Sequence, residues 1–299
     1  MKTVLEIGHC CAGVPQTFAD TLDTAHLIWD DPPYGYRAGH TIKVENPRRL
    51  SFMKKIEWFN QIKDIFSRYQ VLHFHTRTFL PRLLDTLLYD NEVWLHFHGT
   101  EIRNKTFNAV RNPEKIFVST PDLLTSFPLG NARWIPNPVD LSALPYVGAQ
   151  DHDGPLKIVH APSDREVKGT SEVEYAVYLL EKFGCPVSLD LLVNQPHETV
   201  IERMKQADIV IDWINPSYGL YGMAGIEGMA LGKPVLASLD HRWISFCCPV
   251  IQTPDVLDIT RTIRSLRDYD YRKTIGERGR RYVEAYHDAG KVTKTLFEV

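Results

Sequence analysis

The sequence lacks the features that mark secreted and membrane-spanning chains. It has five cysteines in 299 residues, an odd count with no CxxC pair, which does not suit a disulfide framework. No stretch approaches the roughly 18 consecutive apolar residues of a transmembrane helix. The first residues enter a short β-branched run without the apolar segment and cleavage site of a signal peptide. We therefore expect a cytoplasmic protein.

The sequence also lacks an excess of charge of either sign. Its 34 basic and 37 acidic residues give a formal net charge of −3, which argues against nucleic acid or an anionic membrane as the main partner. It has no GxGxxG fingerprint followed by an acidic residue about 20 positions later, so a nicotinamide dehydrogenase is not expected. The length suits two domains of roughly 150 residues each.

The first half of the chain alternates short β-rich runs with amphipathic segments. This alternation predicts an α/β domain with a parallel sheet and helices on its faces. We predict strands over residues 3–7, 71–75, 93–97, 116–118 and 134–135, and helices over 16–27, 54–69 and 78–89.

A segment rich in Pro, Gly and Asp follows from Pro136 to Pro155, and the alternation then restarts. A second doubly wound pattern predicts two similar domains facing a central cleft, with ligands at the carboxyl ends of their strands. In this half we predict strands over 157–160, 187–192, 209–212 and 234–237, helices over 171–183, 198–206 and 225–231, and a helical stretch from 255 onward.

The most informative motif runs from Tyr221 to Val235, YGMAGIEGMALGKPV. A glycine-containing loop opens a helix, and the backbone N–H groups at a helix N-terminus form an anion site. Glu227 lies near the start of that helix, where a carboxylate can accept hydrogen bonds from a pair of ribose hydroxyls. On spacing alone, a helix that is merely capped by Glu227 and packed through Met229 and Leu231 is an equal alternative.

This motif resembles the signature of glycosyltransferase family 4, whose members are retaining GT-B enzymes. The family places a Glu just before a Gly/Ala-Met-Ala-x-Gly-Lys-Pro-Val run, as Glu227 stands here. The resemblance implies that Glu227 holds the donor ribose. It also implies that the loop and first helical turn bind the donor phosphates through Gly222, Met223, Ala224, Gly225 and Ile226. The family has a second Glu eight positions upstream, where this chain has Gly219.

A second motif places two cations, Arg165 and Lys168, in a loop between a strand and a helix. Two fixed positive charges suit a departing diphosphate. Taken alone, a surface loop with an ion pair to Asp164 or Glu166 is the favoured interpretation. Beside the Glu227 motif, the resemblance assigns both cations to the diphosphate, although the commoner family version spaces them five apart.

A third motif, WLHFHGTEIR, ends a strand at His98-Gly99. In the resemblance its histidine faces the donor sugar, so we assign that role to His98 and a supporting role to Glu101 or Arg103. His73-Phe74-His75 mirrors His96-Phe97-His98, and alternate residues of a strand share one face. No carboxylate or cysteine set accompanies them, and GT-B enzymes generally need no metal. We therefore expect satisfied strand histidines and no metal site.

Two further segments complete the likeness. The first strand leads into Gly8-His9-Cys10-Cys11-Ala12-Gly13, where glycines let the backbone approach a ligand. In the resemblance this loop, with Gly13, lies against the donor phosphates or the acceptor. Pro136-Asn137-Pro138 stands at the junction where the family often has Pro-Asn-Gly.

The resemblance implies a retaining hexosyltransferase that moves a sugar from a nucleoside-diphosphate sugar to a glycan, lipid or small molecule, with no further cofactor. We expect an acceptor domain over 1–140, a linker over 141–155, a nucleotide-sugar domain over 156–278 and a helix over 279–299 returning to the first domain. The alternatives are a GT-B sugar-nucleotide epimerase or hydrolase, and a non-catalytic nucleotide-sugar-binding protein. Peripheral membrane contact and a homodimer stay open.

Overall fold

The computed structural model describes residues 2–8, 13–36, 38–75, 90–99, 101–103, 105, 113–127, 130–243 and 247–298. The helix predicted over 78–89 lies outside these ranges. The chain divides into two compact units. Unit 1 comprises Met1–Pro138 together with Ala289–Val299, and unit 2 comprises Val139–Asp288.

Unit 1 is built on a seven-stranded sheet in which every neighbouring pair is parallel. The strand order is β3-β2-β1-β4-β5-β6-β7. The strands are β1 (Val4–Ile7), β2 (His26–Ile28), β3 (Thr41–Lys43), β4 (Val71–His75), β5 (Glu92–Phe97), β6 (Lys115–Val118) and β7 (Ala132–Trp134).

Three described helices cover the two faces of this sheet: α1 (Val14–Thr21), α2 (Phe52–Phe66) and α8 (Ala289–Glu298). Alternate strand residues point to opposite faces. Leu72 and Phe74 of β4 therefore pack with Trp58 and Ile62 of α2. Val71 of β4 lies on the other face, in a core that includes Phe18 of α1, and Val292 and Leu296 of α8.

The helix predicted over 16–27 is wrong in its second half. Helix α1 ends at Thr21, and β2 begins at His26. The backbone turns at Asp23, whose φ of 49° is left-handed, and Leu27 then enters the core beneath α2. Strands β2 and β3 have only three residues each, too few for period-2 alternation to reveal them.

Unit 2 contains a second parallel sheet, of five strands in the order β12-β11-β10-β8-β9. The strands are β8 (Leu156–His160), β9 (Val187–Leu191), β10 (Ile209–Ile211), β11 (Val235–Ala237) and β12 (Ile251–Gln252). The helices are α3 (Thr170–Lys182), α4 (His197–Gln206), α5 (Met223–Ala230), α6 (Val256–Ser265) and α7 (Tyr269–Tyr286). Apolar cores lie on both faces of this sheet.

The helical stretch predicted from residue 255 onward is three helices, α6, α7 and α8. Helix α7 ends at Tyr286, and α8 begins three residues later at Ala289 and belongs to unit 1. The chain leaves helical geometry at His287, whose carbonyl accepts a hydrogen bond of 2.8 Å from Val139 N. In the described part of the chain, no helix combines the length and apolarity needed to span a membrane.

Candidate functional site

The carboxyl ends of β8 and β10 meet at one edge of the unit 2 sheet, because these strands are parallel neighbours. The loop after β8 carries Arg165 and Lys168 and leads into α3, whose N-cap is Gly169. Asp212 directly follows β10. The arrangement places Arg165, Lys168 and Asp212 in the loops at this edge.

Asp212 is buried and binds the start of α5. Its Oδ2 accepts hydrogen bonds from the backbone N–H of Gly222 and, at 3.2 Å, of Gly225. A Cβ at Gly225 would lie 2.8 Å from that same oxygen, and one at Gly222 would lie 2.9 Å from Lys168 Nζ. The two glycines of the motif therefore make room for Asp212 and Lys168 beside the helix N-terminus.

The ammonium of Lys168 is held on two sides. Its Nζ lies 2.9 Å from Asp212 Oδ1 and 4.0 Å from the centroid of the Trp213 ring. The side chain is only 12% exposed, so the charge is largely shielded from water. A cation fixed at the start of α5 adds to the positive end of the helix dipole.

Arg165 and Lys168 have different ion-pair partners. The Arg165 guanidinium donates hydrogen bonds of 2.9 and 3.0 Å to the carboxylate of Glu174 on α3, and both side chains are about half exposed. Lys168 therefore lies against Asp212 and Gly222, while Arg165 pairs with Glu174. The partner of Arg165 is neither Asp164 nor Glu166, the two acids considered from the sequence.

Glu227 lies inside α5 and is buried. Its Oε1 lies 2.7 Å from Nε2 of His197, the first residue of α4. The imidazole is 30% exposed, whereas the Glu227 side chain is 5% exposed. His197 therefore holds the buried Glu227 carboxylate, and the imidazole lies between that carboxylate and solvent.

A chain of hydrogen bonds runs across one face of the unit 1 sheet at its carboxyl end. Glu6 Oε2 lies 2.6 Å from His75 Nε2, and His75 Nδ1 lies 2.9 Å from His98 Nε2. His98 Nδ1 is 2.6 Å from Ser119 Oγ, which is also 3.1 Å from His96 Nε2. His98, which follows β5, is the partly exposed member of this chain, and Glu6 at one end is fully buried.

Burial keeps the histidines of this network neutral. Loss of solvent lowers the pKa of His98 to about 3, with a smaller contribution from His73. The pKa values of His75 and His96 are also well below the ordinary range, first because of burial and then because of the neighbouring imidazoles. Burial raises the pKa of Glu6, and His73 partly offsets that rise.

The neighbours of His98 have structural partners. Glu101 Oε1 accepts hydrogen bonds from the backbone N–H of His98 and, at 3.1 Å, of Gly99, so it fixes this turn. Arg103 Nε donates to Asp122 Oδ2 at 2.6 Å. Glu101 therefore contacts the backbone of His98.

Gly13 is the left-handed N-cap of α1, with φ of 66°. A Cβ at this position would lie 2.4 Å from the Tyr36 ring. Packing against Tyr36 accounts for the glycine without a ligand. His9, Cys10 and Cys11, in the same predicted loop, lie outside the described residues.

Comparison with solved structures finds chains of similar fold that match nearly the full length of this one. An alpha-glucosyltransferase in complex with UDP and a 13-mer DNA containing a central A:G mismatch matches with a TM-score of 0.68 and 11% identity, covering 99% of both chains. UDP-GlcNAc 2-epimerase from Neisseria meningitidis bound to UDP-GlcNAc matches with a TM-score of 0.54 and 12% identity, covering 99% of this chain and 98% of the other. The fold is GT-B.

The glycotransferase of kitacinnamycin also matches the GT-B chain, with a TM-score of 0.55, 10% identity and coverage of 99% and 98%. No family model matches the sequence, and no curated protein matches it. At such low identities the likeness establishes the GT-B architecture predicted from the sequence. Glycosyltransferases and nucleotide-sugar epimerases share this architecture.

The GT-B chain departs from the family 4 pattern at Gly219, and its geometry explains why. Gly219 has a left-handed φ of 64°, and a Cβ there would lie 2.4 Å from Asp240 Cβ and 2.8 Å from Asp240 N. Its carbonyl accepts a hydrogen bond of 2.9 Å from Asp240 N. No side chain fits at this turn, so a glutamate cannot occupy the position that the family uses.

Two residues of the unit 2 site were not selected from the sequence. Asp212 directly follows a buried strand, and its place after that strand was a usable signal. His197 offered none, because it meets Glu227 across 30 residues of sequence. Only the packing of α4 beside α5 brings the two together.

Proposed function

We propose that this protein is a retaining glycosyltransferase that binds a nucleoside-diphosphate sugar in unit 2 and transfers a hexose. In this proposal Glu227 accepts hydrogen bonds from the ribose hydroxyls. Lys168 and the backbone amides from Gly222 to Ile226 bind the diphosphate. Unit 1 binds the acceptor, with His98 orienting the sugar. We also propose that the enzyme works in the cytoplasm.

The observation that carries the proposal is the joint placement of Lys168 and Glu227 around one short helix of a GT-B fold. Lys168 lies at the first turn of α5, where backbone N–H groups and the helix dipole favour anions. Glu227 lies one turn further on. A cation that stabilises charge on the leaving diphosphate lowers the barrier to breaking the glycosyl bond.

The geometry supports diphosphate binding by Arg165 less strongly than by Lys168. Its guanidinium is paired with Glu174, so binding of a diphosphate by Arg165 would require exchange of that exposed ion pair. Exposed pairs of this kind contribute only about 0–1 kcal/mol, so the exchange is inexpensive. We propose that Arg165 makes a second, later contact with the diphosphate.

The donor site is tested by titration calorimetry with UDP, GDP, ADP and TDP and their common sugars. We expect one nucleotide to bind more tightly than the others, and Glu227→Gln to weaken its binding about tenfold, because the neutral amide is a poorer acceptor for a diol. The matched control is Glu198→Gln, an exposed change next to His197. Absence of binding to all four nucleotides would contradict the proposal.

A sugar-nucleotide epimerase or hydrolase is the second candidate. It is favoured by the structural match to UDP-GlcNAc 2-epimerase. Proton NMR of the bound donor sugar without acceptor distinguishes the two: an epimerised or free sugar supports this candidate, and turnover that requires acceptor supports the transferase.

The exposed residues of α2 indicate the chemical class of the acceptor. Three apolar side chains at its start are exposed: Phe52 by 78%, Met53 by 68% and Ile56 by 46%. Lys54 and Lys55 are exposed beside them. Apolar residues combined with lysines are typical of segments that lie on an anionic lipid surface. We therefore propose a lipid-linked acceptor, with α2 making peripheral membrane contact.

A further inference from the structure

Three histidines of unit 1 converge on one buried point. His73 and His75 lie on β4 and His96 on β5, and one ring nitrogen from each lies within 4.8 Å of the others. The strand register places Glu6 opposite His73 and His75 opposite His96. All four side chains are therefore on the same face of the sheet, and none is more than 1% exposed.

Several polar atoms of this cluster lack a hydrogen bond within the described structure. They are both ring nitrogens of His73, Nδ1 of His96 and Oε1 of Glu6. His73 Nδ1 lies 2.9 Å from Glu6 Oε2 but is not aligned to donate a hydrogen bond to it. A buried polar atom without a partner destabilises the folded state. A single bound cation would supply a partner for one ring nitrogen of His73, for His96 Nδ1 and for the Glu6 carboxylate.

Two of the three histidines have the second partner that metal-bound histidines usually have. His75 Nδ1 lies 2.9 Å from His98 Nε2, and His96 Nε2 lies 3.1 Å from Ser119 Oγ. A histidine that binds a metal through one nitrogen usually forms a hydrogen bond through the other, which fixes the ring and its tautomer. His96 Nδ1 has no hydrogen-bond partner, and His75 Nε2 lies 2.6 Å from Glu6 Oε2, so a cation bound here would contact the histidine and the carboxylate together.

We propose that Glu6, His73, His75 and His96 bind one divalent transition-metal ion of the zinc type. Neutral imidazoles and a carboxylate are ligands that Zn²⁺ prefers, and four protein ligands form the closed coordination shell of a structural site. The metal would sit beneath Phe18 of α1, whose ring centroid lies 5.8 Å from that of His73. Burial leaves no place for a substrate, so the ion stabilises unit 1.

This proposal departs from the sequence-based expectation of satisfied strand histidines. No carboxylate stands near the histidines in the sequence, because Glu6 is 67 residues from His73. Parallel pairing of β1 with β4 brings them into register. Hydrogen bonding alone does not satisfy the cluster, since His73 retains two ring nitrogens without partners.

The test is the metal content of the full-length protein, expressed with zinc in the medium and purified with a tag that contains no histidine. Elemental analysis after dialysis should find one zinc per chain. Replacement of zinc by Co²⁺ should produce the intense visible absorption of four-coordinate cobalt bound by nitrogen and oxygen. Neither readout depends on nucleotide or sugar binding, so the test of the metal site is independent of the proposed function.

Two variants and one control localise the ion. His73→Gln should reduce zinc affinity at least 100-fold in a chelator competition assay. Ser119→Ala, which removes only the hydroxyl next to His96, should reduce it about 10- to 100-fold. His40→Gln changes an exposed histidine outside the cluster and should leave affinity unchanged.

The folded state of each protein is checked by circular dichroism, and Ser119→Ala provides the answer if His73→Gln does not fold. A chelator should lower the melting temperature of the wild type more than that of Ser119→Ala. Less than one tenth of an equivalent of zinc in the wild-type protein, after zinc supplementation, would overturn the proposal. Zinc that His40→Gln removes and Ser119→Ala retains would also overturn it.

Discussion

Lys168 and Asp212 form an ion pair in unit 2, with Nζ 2.9 Å from Oδ1, and the carboxylate of that pair also caps α5. The negative charge at the start of α5 is thus supplied by a side chain of the protein, Asp212. A bound diphosphate would have to share Lys168 with Asp212. The following predictions test this relationship and others.

Asp212→Asn should lower the free energy of unfolding by about 2–3 kcal/mol. The amide oxygen can still accept the hydrogen bond from Gly222 N. The neutral amide leaves the buried Lys168 ammonium without a counter-charge, however, and removing one partner of a buried ion pair is destabilising. Urea denaturation measures the loss. Asp190→Asn breaks a more exposed pair with Arg203 and should change stability by less than about 0.5 kcal/mol. Equal losses in both variants would contradict this account.

His197→Ala should weaken binding of the preferred nucleotide about fivefold while leaving inorganic diphosphate unaffected. His197 Nε2 holds Glu227 Oε1 at 2.7 Å, and loss of one hydrogen bond costs about 1 kcal/mol. Calorimetry with both ligands measures the effect. Lys168→Met provides the contrast, because it should weaken nucleotide and diphosphate alike. Parallel behaviour of the two variants would show that His197 does not act through Glu227.

Gly276→Ala should destabilise unit 2 by about 2–3 kcal/mol, although alanine favours helices over glycine by about 1 kcal/mol. A Cβ at Gly276, on α7, would lie 2.0 Å from the carbonyl oxygen of Gly232, so backbone must move. Thr274→Ala, an exposed change in the same helix, should not destabilise. Thermal melts of the two variants make the comparison, and a Gly276→Ala protein as stable as wild type would show that the two backbones are not in contact.

Stability should rise by about 1 kcal/mol between about pH 8 and 9 because of Lys233. Burial lowers the pKa of Lys233 from 10.5 to about 8 in the folded protein. Above pH 8 the unfolded chain therefore holds the extra proton, and raising the pH favours the folded state. Below pH 8 both states are protonated, and the contribution is constant.

Urea titrations at several pH values measure that slope. Lys233→Met should abolish the rise, whereas Lys157→Met, at an exposed position, should keep it. The window ends near pH 9, because burial raises the pKa of Cys248 to about 11 and unfolding then releases its proton; burial also raises the pKa of Tyr221 and Tyr282, which act in the same direction from about pH 10. An unchanged slope in Lys233→Met would contradict the assignment.

Phe52→Ser combined with Met53→Ser should reduce binding to vesicles of anionic phospholipid at least tenfold. Both side chains are largely exposed beside two lysines, so they are available for insertion at a lipid surface. Vesicle flotation measures the bound fraction. Phe183→Ser removes a similarly exposed aromatic from unit 2 and should have no effect. Failure of the wild type to float with anionic vesicles would rule out membrane contact through α2.

Much of the fold was predictable because strands buried on both faces form continuous apolar runs between polar segments. The prediction for β4 agrees with the structure at both ends, and β5 begins one residue earlier than predicted. The helix over 16–27 was wrong in its second half because three residues of β2 are too short for a periodic signal. Its apolar residues continued the helical pattern instead.

The candidate site was predictable only where its residues are neighbours in sequence. Glu227 and the glycines around it belong to one motif, and their common helix α5 follows from that motif. The contacts between Lys168 and Asp212 and between Glu227 and His197 depend on the order of strands and on helix packing. Local sequence carries no record of either pairing.

Helix α8 gives unit 1 an unusual position in the order of synthesis. Val292 and Leu296 fill the core beside Phe18, and Lys115 donates a hydrogen bond of 3.0 Å to the Leu296 carbonyl. All 150 residues of unit 2, 139–288, are translated before this helix emerges from the ribosome. Part of the core of unit 1 is therefore synthesised after the whole of unit 2, and one face of the unit 1 sheet lacks this covering helix until then.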